Sequence, residues 1–345
     1  MAKGNKALLG DLLKATSRSF YLTLNVLPAR VRPQIGLAYL LARTTDTVAD
    51  TEIVPPTQRL DALQKLRERI LGHTYRPVDL GEFTLRQGSP AEKLLLEKAE
   101  DALALLKTLS PEDLKLVRDV LATIIGGQEM DLSRFAKATA GKIIALESAM
   151  DLDDYTYRVA GCVGGFWTKL CRAHLFPRLK LEDEQFMVDG IRFGKGLQLV
   201  NILRDLPEDL QHGRCYLPMD KLERAGLLPA ALLSPAEEKK FLTLYKEYLD
   251  KAEAHLRAGW NYTNTMPFGQ VRVRLACAWP ILIGMRTIEK LRAASVMELR
   301  QRVKVPRSEV RKILFRSLVS YPAPGLWRKQ FPAGRKAVAS GAKLA

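Results

Sequence analysis

Ile35-Gly-Leu-Ala-Tyr-Leu-Leu-Ala-Arg-Thr-Thr-Asp-Thr-Val-Ala-Asp50 is the stretch that decides the fold class. Tyr39, Arg43, Asp46 and Asp50 step by four, three and four, which places all four along one stripe of an α-helix. Most other positions are apolar or small, so the helix reads as buried on most sides with a polar line facing something inside the protein. Two aspartates one turn apart repel each other unless a cation lies between them. A second segment repeats the pattern: Gly196-Leu-Gln-Leu-Val-Asn-Ile-Leu-Arg-Asp-Leu-Pro-Glu-Asp209. Gln198, Asn201, Asp205 and Glu208/Asp209 share one face, and Leu197, Leu199, Val200, Ile202 and Leu203 fill the others.

One such stripe is usually a solvated face or a set of ion-pair partners, and Gln198 and Asn201 taken singly read equally well as satisfied core polars. Two stripes in two apolar helices point to a joint task. Magnesium prefers oxygen ligands and takes one or two carboxylates together with phosphate oxygens and water. Facing carboxylate stripes suit a small cluster of such ions around a diphosphate, with Arg18, Arg43 and Arg204 as donors to its oxygens.

Outward from these segments the helical period continues, as in Leu60-Leu63-Leu66-Ile70 and Leu114-Val117-Val120-Leu121-Ile124. Ser110-Pro-Glu-Asp and Ser234-Pro-Ala-Glu read as helix starts, with Ser at the N-cap and Pro at the first helical position. No segment alternates convincingly with period two. The expectation is an all-α chain of about a dozen helices by typical helix length. No composition shift marks a linker, so residues 1–345 read as a single domain, with a basic C-terminal tail from about residue 300.

The net charge is +16, from 54 basic and 38 acidic side chains. From Arg300 onward, Arg302, Lys304, Arg307, Arg311, Lys312, Arg316, Arg328 and Lys329 face the single acid Glu309. Such a field attracts diphosphates or anionic headgroups. Base-stacking aromatics are not interleaved with it, so nucleic acid is not the expected partner. The longest apolar run, Leu275 to Met285, is far short of the roughly 20 residues of a transmembrane helix. The start of the chain lacks the apolar core of a secretory signal. Cys162, Cys171, Cys215 and Cys277 are scattered, which suits a reducing cytoplasm and argues against a disulfide framework or a zinc site.

Four blocks, in order, resemble the squalene/phytoene synthase family of head-to-head prenyl transferases. They are Ser17-Arg-Ser-Phe20, Tyr39 to Asp50, Tyr155-Thr-Tyr-Arg-Val-Ala-Gly-Cys-Val-Gly164, and Gln198 to Asp209 followed by Gly213-Arg-Cys-Tyr-Leu-Pro218. Gln128-Glu-Met-Asp131 stands at a further family element, more weakly matched. The resemblance implies an isoprenoid-synthase-type helical bundle around a central apolar cavity. It also implies magnesium-dependent condensation of two farnesyl or geranylgeranyl diphosphates through a cyclopropyl diphosphate. Carried over by position, Asp46, Asp50, Asp205, Glu208 and Asp209 hold magnesium, and Arg18, Arg43 and Arg214 contact diphosphate. Tyr39 and Tyr155 lie near the reacting carbons as proton-transfer partners or cation stabilisers. Ser17, Phe20, Gln198, Asn201, Arg204 and Tyr216 line the substrate.

Squalene as product requires NADPH, but the sequence holds no Gly-rich nucleotide loop after a strand. Phytoene, dehydrosqualene and the cyclopropyl (presqualene) diphosphate itself are the alternatives, and a non-catalytic helical scaffold is a third reading that two buried acid stripes oppose. Gly161, Gly164, Gly165 and the Gly126-Gly127 pair either leave room for prenyl chains or let helices pack closely. Pro207 is expected to kink or end its helix, leaving the direction of Glu208 and Asp209 open and Asp205 the safer ligand. A water-insoluble product suggests peripheral attachment to a membrane through the basic C-terminal region.

Overall fold

The computed structural model describes residues 7–17, 20–180 and 182–332. The longer helices are α1 (Arg32–Asp50), α2 (Pro56–Leu71), α3 (Pro111–Arg134), α4 (Cys162–His174), α5 (Asp183–Gln211), α6 (Glu238–Thr265), α7 (Val271–Ala293) and α8 (Arg307–Ser320), joined by shorter helical pieces. Ser110 caps α3 as its sequence signature requires, accepting from the Asp113 amide at 3.2 Å. Ser234 precedes only a short 3₁₀ turn, Pro235–Glu237, and makes no capping bond.

Two apolar clusters carry the packing. Leu40, Leu41, Leu63, Leu66, Val117, Leu121 and Leu170 bind α1, α2, α3 and α4 together. Leu203, Leu206, Leu249, Leu256, Ile281 and Ile288 do the same for α5, α6 and α7. The cavity described below opens between them, walled by α1 and α3 on one side and α5 on the other.

Pro207 does not end α5, which runs on to Gln211. The proline removes the amide that would bond to the Leu203 carbonyl, and the buried Tyr245 hydroxyl of α6 donates to that carbonyl instead, at 2.7 Å. With the freed acceptor satisfied, the helix continues unbroken, and Asp209 lines the cavity together with Asp205.

Two short strands were not foreseen. β1 (Ile144–Leu146) and β2 (Arg214–Pro218) pair in parallel, with Ile144 opposite Arg214 and an irregularity after Ala145. Gly213 enters β2 with φ +76, and a Cβ there would lie 2.3 Å from the Thr139 carbonyl oxygen, so only glycine fits this corner.

The glycines of α4 serve packing. A Cβ on Gly164 would meet the Gly190 carbonyl oxygen at 1.8 Å, so α4 and α5 touch backbone to backbone. None of Gly126, Gly127, Gly161, Gly164 and Gly165 lines the cavity, and of the two readings close packing is the one that Gly164 fits.

The region read as a basic tail is also built into the molecule as far as it is described. Tyr321, Trp327 and Phe331 are buried. Trp327 stacks on Trp260 at 5.2 Å and donates to Asn264 at 2.8 Å, and Trp279 donates to Ser317 at 2.9 Å. Tyr321, Trp327 and Phe331 complete the α6–α7 core, while Arg311, Lys312, Arg316, Arg328 and Lys329 are exposed. Residues 333–345 lie outside the described residues.

Candidate active site

A cavity of about 610 Å³ lies between α1, α3, α4 and α5, within the size range of small-molecule sites. Its lining changes character along each helix. On α1 it runs Ile35, Ala38, Tyr39, Ala42, Arg43, Asp46, Asp50; on α3, Val120, Ile124, Gln128, Asp131. On α5 it runs Gln198, Asn201, Ile202, Asp205, Asp209. From the short helix Ala149–Thr156 into α4 the order reverses, from Tyr155 through Val159 and Val163 to Phe166 and Trp167. One end of the cavity is acidic and the other apolar. Ile35 to Asp50 spans about 22 Å at 1.5 Å per residue.

Both predicted carboxylate stripes face this cavity, and Asp131 joins them from α3. Five carboxylates (Asp46, Asp50, Asp131, Asp205, Asp209) line it against two guanidinium groups, Arg43 and Arg214. Burial first, then the charge of Asp46, pushes the Asp50 carboxyl up to about 7. Burial does the same for Asp209, to about 7, against the pull of Arg214, and for Asp131, to about 6, against its hydrogen bond from Tyr216. The Asp46 side chain is 41% accessible, but the water it meets lies inside a protein-walled cavity, and burial still lifts its carboxyl against the opposing pull of Arg43. Burial is the first cause of each rise, and neighbouring carboxylates add to it for Asp50 and Asp209.

Each cation is tethered. Arg43 bridges Asp46 and Glu92, the latter from the helix Pro90–Glu97. Arg214 pairs with Glu52. Asp205 is held by its neighbour Arg204 at 2.6 Å and by Arg302 from the C-terminal segment at 2.8 Å. Arg204 thus serves Asp205 and does not line the cavity. Glu208 is exposed, also off the cavity, and 3.3 Å from Arg302. Ser17 is buried with its hydroxyl given to the Leu13 carbonyl at 2.5 Å, again away from the lining. Arg18 and the Phe20 side chain lie outside the described residues.

The period of two along β2 puts Arg214 and Tyr216 on the cavity side and turns Cys215 and Leu217 into the core. Tyr216 donates to Asp131 at 2.9 Å and stacks on Tyr155 with ring centroids 4.7 Å apart. Burial, reinforced by Asp131 for Tyr155 and by Tyr155 and then Asp131 for Tyr216, holds both phenols well above the usual tyrosine range, so both stay protonated. Tyr39 lines the cavity on α1, its hydroxyl 3.5 Å from the Thr16 carbonyl. Glu92, the β2 geometry and Arg302 had no local signal in sequence, and Asp131 had only the weakly matched block around it.

Among the described residues no three His, Cys, Asp or Glu side chains converge into a ready-made metal site. The donor set nonetheless fits magnesium, which takes one or two carboxylates and completes its shell with phosphate oxygens and water. The excess of acid at one end is charge that cations must offset before an anionic head can enter.

The cavity is thus acidic and guanidinium-flanked at one end and apolar at the other. The squalene/phytoene synthase family matches residues 13–309, and the chain belongs to that family of prenyltransferases. A bifunctional lycopene cyclase/phytoene synthase of Colletotrichum graminicola is 31% identical over 70% of this chain, which spans only 39% of that relative's length. A presqualene diphosphate synthase of Sinorhizobium fredii is 30% identical over 62% of each chain. In fold, the chain matches a ligand complex of TcSQS with a TM-score of 0.75 at 22% identity, covering 97% of this chain and 93% of that one.

Proposed function

We propose that this protein joins two farnesyl diphosphates head to head through cyclopropyl (presqualene) diphosphate, and carries that intermediate to squalene when NADPH supplies hydride. The observation carrying the first half is the cavity that is acidic at one end and apolar at the other, with two protonated tyrosines at the junction. Asp46, Asp50, Asp205 and Asp209, with Asp131 beside them, would hold magnesium, which when bound neutralises charge on the departing diphosphate. Arg214 and Arg43 orient the diphosphate oxygens by charge-assisted hydrogen bonds. The apolar wall of Ile35, Val120, Ile124, Val163, Phe166 and Trp167 positions the prenyl chains and keeps water from the allylic cation. The stacked faces of Tyr155 and Tyr216 offer π density to that cation. Neutral phenols do not capture it as a tyrosinate would, and they can pass on the proton that ring closure releases.

A second reading, release of presqualene diphosphate or formation of phytoene, is favoured by the names of the relatives at 30% identity and above. For location, four buried free cysteines suit a reducing cytoplasm, and an insoluble hydrocarbon product suits work at a membrane surface.

Incubation of the pure protein with farnesyl diphosphate and magnesium, with and without NADPH, tests these readings. Squalene only with NADPH supports the proposal in full. Presqualene diphosphate in both tubes moves the assignment to the half-reaction. A product only from geranylgeranyl diphosphate moves it to phytoene, and no pyrophosphate release from either substrate overturns the catalytic reading.

A further inference from the structure

The exposed large apolar side chains of the C-terminal region lie on α8 and on the short helix that follows it. On α8, Phe315 is 68% exposed, Leu318 51% and Val319 63%, and on the following short helix, Pro324–Arg328, Leu326 is 61% exposed. The opposite face of α8 fixes the helix to the body. Ser317 and Ser320 are buried there, Trp279 donates to Ser317, and Glu309 pairs with Arg286 at 2.6 Å and Lys290 at 3.1 Å. Helical geometry therefore directs Phe315, Leu318 and Val319 together away from the molecule.

Cations accompany this face. Arg311, Lys312 and Arg316 on α8 and Arg328 and Lys329 just beyond it are exposed, and none forms an ion pair among the described residues. Most arginines elsewhere in the described chain have carboxylate or carbonyl partners, as at Arg43, Arg67, Arg134, Arg172 and Arg292. The only acid on α8, Glu309, is turned to the body. No described helix is long and apolar enough to cross a membrane. A rigid helix with three outward apolar side chains bordered by unpaired cations has the composition of an interfacial helix.

We propose that α8 and the start of the next helix dock this protein onto an anionic bilayer. Phe315, Leu318, Val319 and Leu326 enter the headgroup–acyl boundary while Arg311, Lys312, Arg316 and Lys329 meet lipid phosphates. The occupant is a bilayer because the surface pairs apolar side chains with unneutralised positive charge on a protein of net charge +16. This proposal deepens the membrane part of the reading above, since that reading requires an acceptor for an insoluble product. It also differs from the basic-tail expectation, because the contact is made by a folded helix face and not by a solvated cationic segment.

Co-sedimentation of the full chain with phosphatidylglycerol/phosphatidylcholine vesicles, without substrate, tests it. The wild type should bind, and the triple substitution F315S/L318S/V319S should bind at least about tenfold more weakly at unchanged thermal midpoint. R311Q/K312Q/R316Q should lose about fivefold per cation on these vesicles and change little on neutral ones. Phe315→Trp should show blue-shifted emission on anionic vesicles. Wild-type binding that the apolar triple leaves intact overturns the assignment of this face while sparing peripheral attachment. No wild-type binding overturns both. A wild-type dimer in sedimentation that F315S/L318S/V319S dissociates, without vesicle binding, makes the face a contact between copies of this chain and overturns the proposal.

Discussion

Asp50 and Asp209, with carboxyls near 7, and Asp131, near 6, each bind a proton more readily in the folded protein than in the unfolded chain, where aspartate titrates near 3.9. The folded state therefore holds more protons between those limits, and the linkage sign follows: stability is fullest below about pH 4 for these groups and is lost as pH rises through 6 and 7. The metal-free protein should melt at lower temperature at pH 8 than at pH 5.5, and magnesium with diphosphate should restore more at pH 8 than at pH 5.5. Scanning calorimetry at the two values checks both. Asp50→Asn should raise the metal-free stability at pH 8 by about 1 kcal/mol, the full shift being discounted because Asp50, though its carboxyl is shielded within the cavity, is an exposed residue that water still reaches. The same change should cut pyrophosphate release at least about a hundredfold, as loss of a transition-state charge partner does. A variant that is both destabilised and active would remove Asp50 from the crowded cluster.

At the scale of the element, α5 shows what could and could not be read in advance. Its carboxylate stripe was legible because both partners of the pattern sit on one helix, where spacing alone fixes direction. Its passage through Pro207 was not, because the Tyr245 hydroxyl that accommodates it arrives from another helix. That pair makes a clean cycle. Tyr245→Phe should cost about 1–3 kcal/mol by stranding the Leu203 carbonyl. Pro207→Ala supplies an amide for the same carbonyl, so in the double variant most of that loss should disappear; urea denaturation of the four proteins gives the coupling directly. Additive losses would mean that the Tyr245 bond does not replace the missing backbone bond. Gly164 is a second case of a partner hidden in sequence. Gly164→Ala forces α4 away from α5 at a backbone contact that cannot yield by rotating a side chain, so it should destabilise by more than about 3 kcal/mol. A thermal midpoint close to the wild type would show that the crossing can give.

For the whole molecule, the all-α class and the meeting of two acid stripes followed from periodicity and charge, which are local properties. The pairings Arg43–Glu92, Asp205–Arg302 and Tyr216–Asp131, and the β1–β2 ladder, join residues far apart in the chain, and no spacing rule reaches them. The C-terminal region was read by its charge and not by Tyr321, Trp327 and Phe331, so its place in the core was missed. Removing residues 300–345 strips Tyr321, Trp327 and Phe331 from the α6–α7 core at about 1.5–3 kcal/mol each. That loss rivals the 5–15 kcal/mol stability of a typical domain. The truncated chain should therefore be recovered insoluble, not as an active enzyme lacking only a membrane contact. Soluble, active truncated protein with a native circular dichroism spectrum would contradict that packing.

The shared polarity of α1, α3 and α5 also bears on how a reaction cycle ends. Every charged anchor lies at one end of the cavity, so the grip on a molecule there lasts only as long as its anionic head. On the proposed reaction to squalene, the hydrocarbon left after the head departs would be held by oil-like walls alone, and its departure would be decided by the relative comfort of those walls and the next apolar phase it can find. Catalysis on that proposal would behave as an extraction: in bare buffer turnover should slow after few cycles, clogged by the product, and an added droplet, micelle or bilayer should set it running again.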